Sequence, residues 1–105
     1  MRRGDVWLVA LNPTIGTEIQ KTRPCVIISP NEMNGILRRT IVAPITSGSH
    51  PAPFRVPLIF RRRPGLILLD QIRTVDRQRM IKKLGTIDDA VLAAVLATLT
   101  GMFAG

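Results

Sequence analysis

Apolar residues gather into short uninterrupted runs along this chain. Val6–Leu11, Pro24–Ser29, Thr40–Ile45 and Gly65–Leu69 are rich in Val, Ile and Leu, and each is closed by turn-forming residues. Runs of this length are too short for helices that stand alone, and their composition predicts strands. Their apolar character is continuous rather than alternating, so the strands should be covered on both faces, as in a compact barrel. Phe54–Ile59, Gln71–Val75 and Ile81–Gly85 carry weaker versions of the same pattern.

Two polar stretches separate these runs. Asn12–Thr22 opens Asn-Pro-Thr-Ile-Gly, and Ser47–Pro53 holds Gly48, Pro51 and Pro53, so both are expected to be exposed loops. Near the end the period changes. Leu92, Val95, Leu96, Leu99, Met102 and Phe103 recur at helical spacing, with Thr86 available as a cap and Asp88 and Asp89 in the first turn against the helix dipole. The pattern predicts one amphipathic helix closing the chain, its apolar stripe packed on the barrel. There is no internal repeat, low-complexity segment or linker. At 105 residues the chain has room for one core, so residues 1–105 are read as a single, mainly β domain with short helices.

Charge sharpens this picture. Fifteen Lys and Arg against seven Asp and Glu leave a net charge of +8. The excess lies mostly in arginines such as Arg2, Arg3, Arg38, Arg39, Arg61, Arg62 and Arg63, whose planar fork suits phosphate. A polyanionic partner is one explanation, and a surface kept soluble by charge is the other. The single cysteine, Cys25, cannot form an internal disulfide and lies in an apolar run. It reads as an inert core thiol in a reducing, cytoplasmic compartment. Arg2 and Arg3 are followed by Gly4 and Asp5, and the apolar stretch beyond stops at Asn12, so neither an export signal nor a membrane span is expected.

The missing residue types narrow the chemistry. With His50 as the only histidine, paired-histidine acid–base catalysis is excluded, and one Cys with one His cannot build a tetrahedral zinc site. The one close carboxylate pair, Asp88 and Asp89, belongs to a helix start, and no phosphate-cradling Gly-Lys-Ser/Thr loop is present. If this chain breaks phosphodiester bonds, it is expected to do so with no metal and no cofactor. RNA allows this, because its own 2′-hydroxyl can attack the adjacent phosphorus. The protein then needs to hold ribose and phosphate in line and to stabilise the added negative charge with arginine, hydroxyl or backbone donors.

Arg23 is a candidate for that charge, since Pro24 restricts the backbone that presents it where a loop enters a strand. On spacing alone it reads more readily as a surface arginine in an ion pair. Thr46 follows the strand ending Ala43-Pro44-Ile45, which would display its hydroxyl at a strand end, although a turn-forming Thr explains it as well. Glu18 is by default a solvated loop acid, and His50 a mobile loop residue.

Read in order, Arg3-Gly4-Asp5-Val6-Trp7, Asn12-Pro13-Thr14 with Gly16 and Glu18, Thr22-Arg23-Pro24 and Val26-Ile27-Ile28-Ser29-Pro30 resemble the MazF/PemK/Kid toxin family. Ala43-Pro44-Ile45-Thr46-Ser47, Pro53-Phe54 and Asp70-Gln71-Ile72-Arg73-Thr74-Val75-Asp76 continue the resemblance in register over essentially the whole chain. It implies an SH3-like β-barrel of the CcdB/PemK-like kind closed by a C-terminal α-helix, and a homodimer. It also implies a ribosome-independent endoribonuclease that cuts single-stranded mRNA at short motifs, leaving 2′,3′-cyclic phosphate and 5′-hydroxyl ends. A cognate MazE-like antitoxin would lie across the dimer and block its RNA groove.

By matching position, the resemblance makes Arg23 the catalytic arginine and Thr46 the catalytic threonine, with Glu18 a weaker third that could orient the ribose or relay a proton. Lys21, Ser47, Phe54, Gln71 and Arg73 fall where RNA contacts are expected. Phe54 would stack on a base or serve the core, and Arg73 would reach RNA or brace the dimer. Asp70 is expected to hold Arg23 or a loop amide. Kid-like members carry an arginine two residues before that aspartate, where this chain has Leu68, so the MazF-like pair of Arg23 and Thr46 is followed here. Arg61-Arg62-Arg63 reads as a solvated loop or a source of diffuse steering, ahead of a specific grip on the RNA backbone or on an acidic antitoxin. Two rival functions stand beside the nuclease: a gyrase-poisoning toxin on the same fold, which would need neither Arg23 nor Thr46, and a non-catalytic RNA-binding module.

Overall fold

The computed structural model describes residues 1–19 and 21–105; Gln20, inside the expected loop Asn12–Thr22, lies outside the described residues. Along the chain run β1 (Asp5–Ala10), β2 (Thr22–Ile27), α1 (Asn31–Ile36), β3 (Arg39–Thr46), β4 (Arg55–Phe60), β5 (Arg63–Leu68), β6 (Arg73–Asp76), β7 (Met80–Thr86) and α2 (Asp89–Phe103). Each of the predicted strand segments contributes a strand. β5 starts earlier than expected, at Arg63, and Leu69 falls instead in a 3₁₀ turn over Leu69–Gln71.

The strands form a curled half-barrel with the order β4-β5-β3-β2-β1-β7, every pairing antiparallel. The curl originates in β3. One of its edges pairs with β2, while the other pairs first with β6 over Arg39–Val42 and then with β5 over Ile45–Thr46. Pro44, which has no N–H to give a ladder, falls in the gap between those two pairings. The end strands β4 and β7 are not paired with each other, and side chains join them instead. Phe60 packs on Gly85, where an added Cβ would stand 3.0 Å from its ring, and Arg61 Nη2 donates to the Leu84 carbonyl at 2.6 Å.

The central strands are covered on both faces, which is why their runs are continuous rather than alternating. Val26 packs into one cluster with Ile45, Ile67 and Val95 of α2, while its neighbours Cys25 and Ile27 pack into a second with Val42 and Val75. α2 lies against β4, and Val95 is fully buried. Its stripe outruns the barrel, however: Met102 is 39% and Phe103 71% exposed. No helix among the described residues is long and apolar enough to cross a membrane.

The Arg3-Gly4-Asp5 segment proves to be a structural clip. Gly4 adopts φ +92° beside Leu92 and bridges Ile27 and Ile87 through its own N–H and C=O, at 2.8 and 2.9 Å. Asp5 is buried. Its carboxylate accepts from the Arg2 N–H at 2.9 Å and the Thr86 hydroxyl at 3.2 Å, with Lys83 Nζ at 3.5 Å. Thr86 therefore does not cap α2. Asp88 holds the N-cap position without a side-chain hydrogen bond, and Asp89 lies in the first turn.

α1 was not expected. Six residues that include Gly35 carry no apolar stripe, and a buried polar knot holds them in place. Asn34 Oδ1 accepts from Ser29 Oγ at 2.5 Å and from Thr40 Oγ1 at 2.9 Å, and Asn34 Nδ2 donates to the Ser29 carbonyl at 2.9 Å.

Candidate active site

β2 carries Arg23 as its second residue, paired with Val9 of β1, and the end of β3 carries Thr46. Cys25 pairs with Pro44 in the β2–β3 ladder, so the same register carried two residues outward sets Arg23 opposite Thr46. Both residues line one cleft of about 510 Å³. Thr46 is also pinned by β5. Gly65 runs so close that a Cβ there would stand 3.1 Å from the Thr46 carbonyl oxygen, so any larger residue would push the two strands apart by a few tenths of an ångström. Thr46 Oγ1 accepts the Gly48 N–H at 3.2 Å, which leaves the hydroxyl proton free for another acceptor. Ser47 stands exposed at the lip.

The far wall is the β4–β5 hairpin. Phe60 and Arg63 close it as a cross-strand pair, with Arg61 and Arg62 as the two turn residues at φ 51° and 65°. Positive φ at both positions is the habit of Asn-Gly turns and costs about 1 kcal/mol or more for each larger residue. The arginine run is thus not simply a solvated loop. Arg61 reaches back to β7 with its guanidinium 5.9 Å from the Phe60 ring centre, and both Arg61 and Arg63 line the cleft. Among the described residues the lining carries Arg23, Arg61 and Arg63 and no carboxylate. Sequence reading missed this gathering. The available signal was the two-residue separation of the strands, Phe60 before the turn and Arg63 after it.

The remaining expected site residues lie elsewhere. Glu18, Gln71 and Arg73 border a second depression together with Asp70. There they brace the loop that enters β2: Glu18 Oε1 accepts the Ile15 N–H at 2.8 Å, Gln71 Oε1 accepts the Ile19 N–H at 2.9 Å, and Arg73 Nη1 donates to the Leu11 carbonyl at 2.9 Å. Glu18 is not brought together with Arg23 and Thr46. Lys21, at φ 67°, is exposed and gives its backbone N–H to Asn12 Oδ1 at 2.9 Å. Phe54 is 37% exposed and borders a hollow with Thr98, Gly101 and Met102 of α2, away from the arginine cleft.

Asp70 holds Arg55, not Arg23. The contact is two-pronged, with Nε to Oδ1 at 3.2 Å and Nη2 to Oδ2 at 3.0 Å, while Arg55 Nη1 donates to the His50 carbonyl at 2.9 Å. The Arg55 hydrogen bond holds the Asp70 carboxyl below its usual range against a smaller opposing effect of burial. Leu68 is fully buried and pairs across the ladder with Arg55, so the guanidinium beside Asp70 comes from β4. Burial pushes the Cys25 thiol up to about 12, partly opposed by the Arg73 charge, as suits an unreactive core thiol. Among the described residues no group of three or more His, Cys, Asp and Glu side chains could hold a metal ion.

Half-barrel and cleft together define a small basic β-protein whose candidate site sits where strand ends and a hairpin tip meet. The chain belongs to the PemK-like, MazF-like toxins of type II toxin–antitoxin systems, whose family model matches residues 2–103. It is 39% identical over 106 residues to endoribonuclease PemK of Escherichia coli, covering 95% of this chain and 80% of that protein. To endoribonuclease EndoA of Bacillus subtilis it is 36% identical over 101 residues, covering 90% and 87%. Among solved structures, MazF of Deinococcus radiodurans superposes with a TM-score of 0.85 at 29% identity, over 97% of this chain and 94% of that one. A MazE–MazF complex from the same organism aligns with a TM-score of 0.74 at 30% identity, over 97% and 94%.

Proposed function

We propose that this chain is the toxin of a type II toxin–antitoxin pair, acting in the cytoplasm as a metal-free, ribosome-independent endoribonuclease that cuts single-stranded mRNA at short sequence motifs. The observation that carries this reading is the meeting of Arg23 and Thr46 in a cleft lined by three arginines and, among the described residues, no carboxylate. Such a cleft concentrates positive potential and draws in a phosphodiester chain. The naming of relatives at 36% and 39% identity as endoribonucleases supports the same reading.

In this mechanism the ribose 2′-oxygen bonds to phosphorus as the bond from phosphorus to the 5′-oxygen breaks. The 2′ proton leaves to a solvent base and the departing 5′-oxygen takes a proton from solvent, giving a 2′,3′-cyclic phosphate and a 5′-hydroxyl. Arg23 stabilises the charge that grows on the phosphoryl oxygens. Thr46, its oxygen occupied by the Gly48 N–H, donates its own proton to one of them. A guanidinium that stays protonated supplies charge and not a base, so holding the ribose and phosphate in line carries much of the acceleration. Glu18 closes its own turn outside the cleft and takes no step. The active form is a homodimer. Its antitoxin is MazE-like, with an acidic segment to match the toxin's net charge of +8.

The test is incubation of purified protein with a long single-stranded RNA in excess EDTA, followed by mapping of cut sites and end groups. Discrete cuts with cyclic-phosphate and 5′-hydroxyl ends are expected. Intact RNA in the presence of folded protein would overturn the nuclease reading.

A further inference from the structure

The β4–β5 hairpin carries arginine where its own geometry gives no reason for it. Positive φ at Arg61 and Arg62 is served best by Asn or Gly, yet the turn is Arg-Arg and the next residue, Arg63, also faces the cleft. Arg61 is fixed in place by its bond to the Leu84 carbonyl and by the Phe60 ring, with further N–H donors to spare. Arg63 is exposed and, among the described residues, its guanidinium has no carboxylate or hydrogen-bond partner. Thr46 pairs with Leu66, so Arg63 stands three residues further along β5, roughly 10 Å from the Thr46 level, an odd step that turns it to the Gly65 and Phe60 side of the hairpin. That distance places its charge beyond the phosphate Thr46 would touch.

We infer that Arg63, with Arg61 as its fixed companion, grips the phosphate next to the one that is cut, so that the hairpin tip sets the path of the RNA through the cleft. This rests on the nuclease reading, and it explains why a turn with built-in strain is made of arginines. Two donors of fixed and free geometry flank one position on the strand, which then leads inward to Arg23 and Thr46. Arg62 shares the turn but does not line the cleft, and it carries charge without contact.

Binding and cleavage test this separately. Affinity for a short single-stranded RNA bearing 2′-O-methyl riboses, which cannot be cut, is measured across salt concentrations for the parent, Arg63→Ala, Arg61→Gly and Arg62→Gly. Glycine suits the positive φ at 61 and 62, so neither turn variant should fail to fold. Arg63→Ala is expected to weaken binding roughly tenfold. It should also flatten the slope of log affinity against log salt by about 0.7, one single-strand phosphate contact. Arg61→Gly should lose affinity as well, and Arg62→Gly should stay near the parent. In cleavage of unmodified RNA, Arg63→Ala should raise KM and leave kcat nearly unchanged.

Equal losses in Arg62→Gly and Arg63→Ala would reduce the hairpin to diffuse attraction and overturn the clamp. Loss of kcat at constant KM would do so too, by putting Arg63 at the reacting phosphate. So would weakened binding of an acidic peptide by Arg63→Ala with RNA affinity intact, since the cleft would then be a peptide site. Failure of the parent to cut RNA would overturn only the nuclease reading, because the binding arm uses RNA that cannot be cut.

Discussion

Arg23 and Thr46 stand opposite each other just beyond the paired part of the β2–β3 ladder, where β3 leaves β2 for β5. Neither is needed to hold those strands together, so chemistry and stability can be separated here. Thr46→Val keeps the shape of the side chain and removes its hydroxyl. RNA cleavage is expected to fall by about 10²–10³ in kcat, the effect of deleting one donor to developing charge, with the thermal midpoint little changed. Thr46→Ser should retain much of the activity. An active Thr46→Val variant would place the hydroxyl outside the reaction.

The hairpin's seat on β7 yields a second expectation. A Cβ at Gly85 would meet the Phe60 ring at 3.0 and 3.2 Å, and a ring has no flexible end that can yield. Gly85→Ala should lift the hairpin from β7 and cost about 1–3 kcal/mol in chemical denaturation, as overpacking does. Phe60 and Arg61 both line the cleft, so KM for RNA should rise with it. A variant of parental stability would mean that Phe60 swings aside freely and that this contact does not seat the hairpin.

The knot beneath α1 can be probed in the same way. Asn34→Ala deprives two buried hydroxyls of their shared acceptor, although Ser29 and Thr40, 2.8 Å apart, can still bond to each other. A loss of about 1–3 kcal/mol in urea unfolding is expected, the range for a disrupted buried polar group. Parental stability would show that α1 is held by its backbone alone.

These residues also show what the sequence could and could not reveal. Strands were legible because a sheet covered on both faces needs apolar side chains at successive positions, and the middles of β1 to β3 carry them. α1 was hidden because its anchor is polar: Asn34 and Thr40 look like surface residues until the fold buries them together. Arg23 and Thr46 could be proposed from position within a family pattern, but for Arg61 and Arg63 a grip on RNA ranked below a solvated loop, because a run of arginines gains meaning only when a two-residue turn aims it across a cleft. Glu18, Gln71 and Arg73 are expected at the RNA site from the same pattern, and the fold gathers them at a separate depression. Each looks available in sequence, and here Glu18 closes its own turn while Gln71 from the 3₁₀ turn and Arg73 from β6 each commit one hydrogen bond to Ile19 and Leu11.

Asp70 gives the last expectation, a dependence of stability on pH. Its carboxyl is held below the ordinary carboxylate range chiefly by the hydrogen bond from Arg55. A group of depressed folded pKa binds fewer protons in the native than in the unfolded state, so its contribution rises with pH. It is complete above the unfolded value of about 3.9 and disappears as pH falls through the lower, native one. Asp70→Asn keeps the shape and removes the charge. The parent should therefore have the higher thermal midpoint near neutral pH, and the two midpoints should converge as the solution is acidified below about pH 4. The pair is partly exposed, with side-chain accessibilities of 19% and 29%, so the gap should be small and should narrow in high salt. A gap that stays constant through the acid range would show that the Asp70→Asn variant loses packing or hydrogen-bond geometry instead of charge, and that the ion pair does not couple this corner of the barrel to pH.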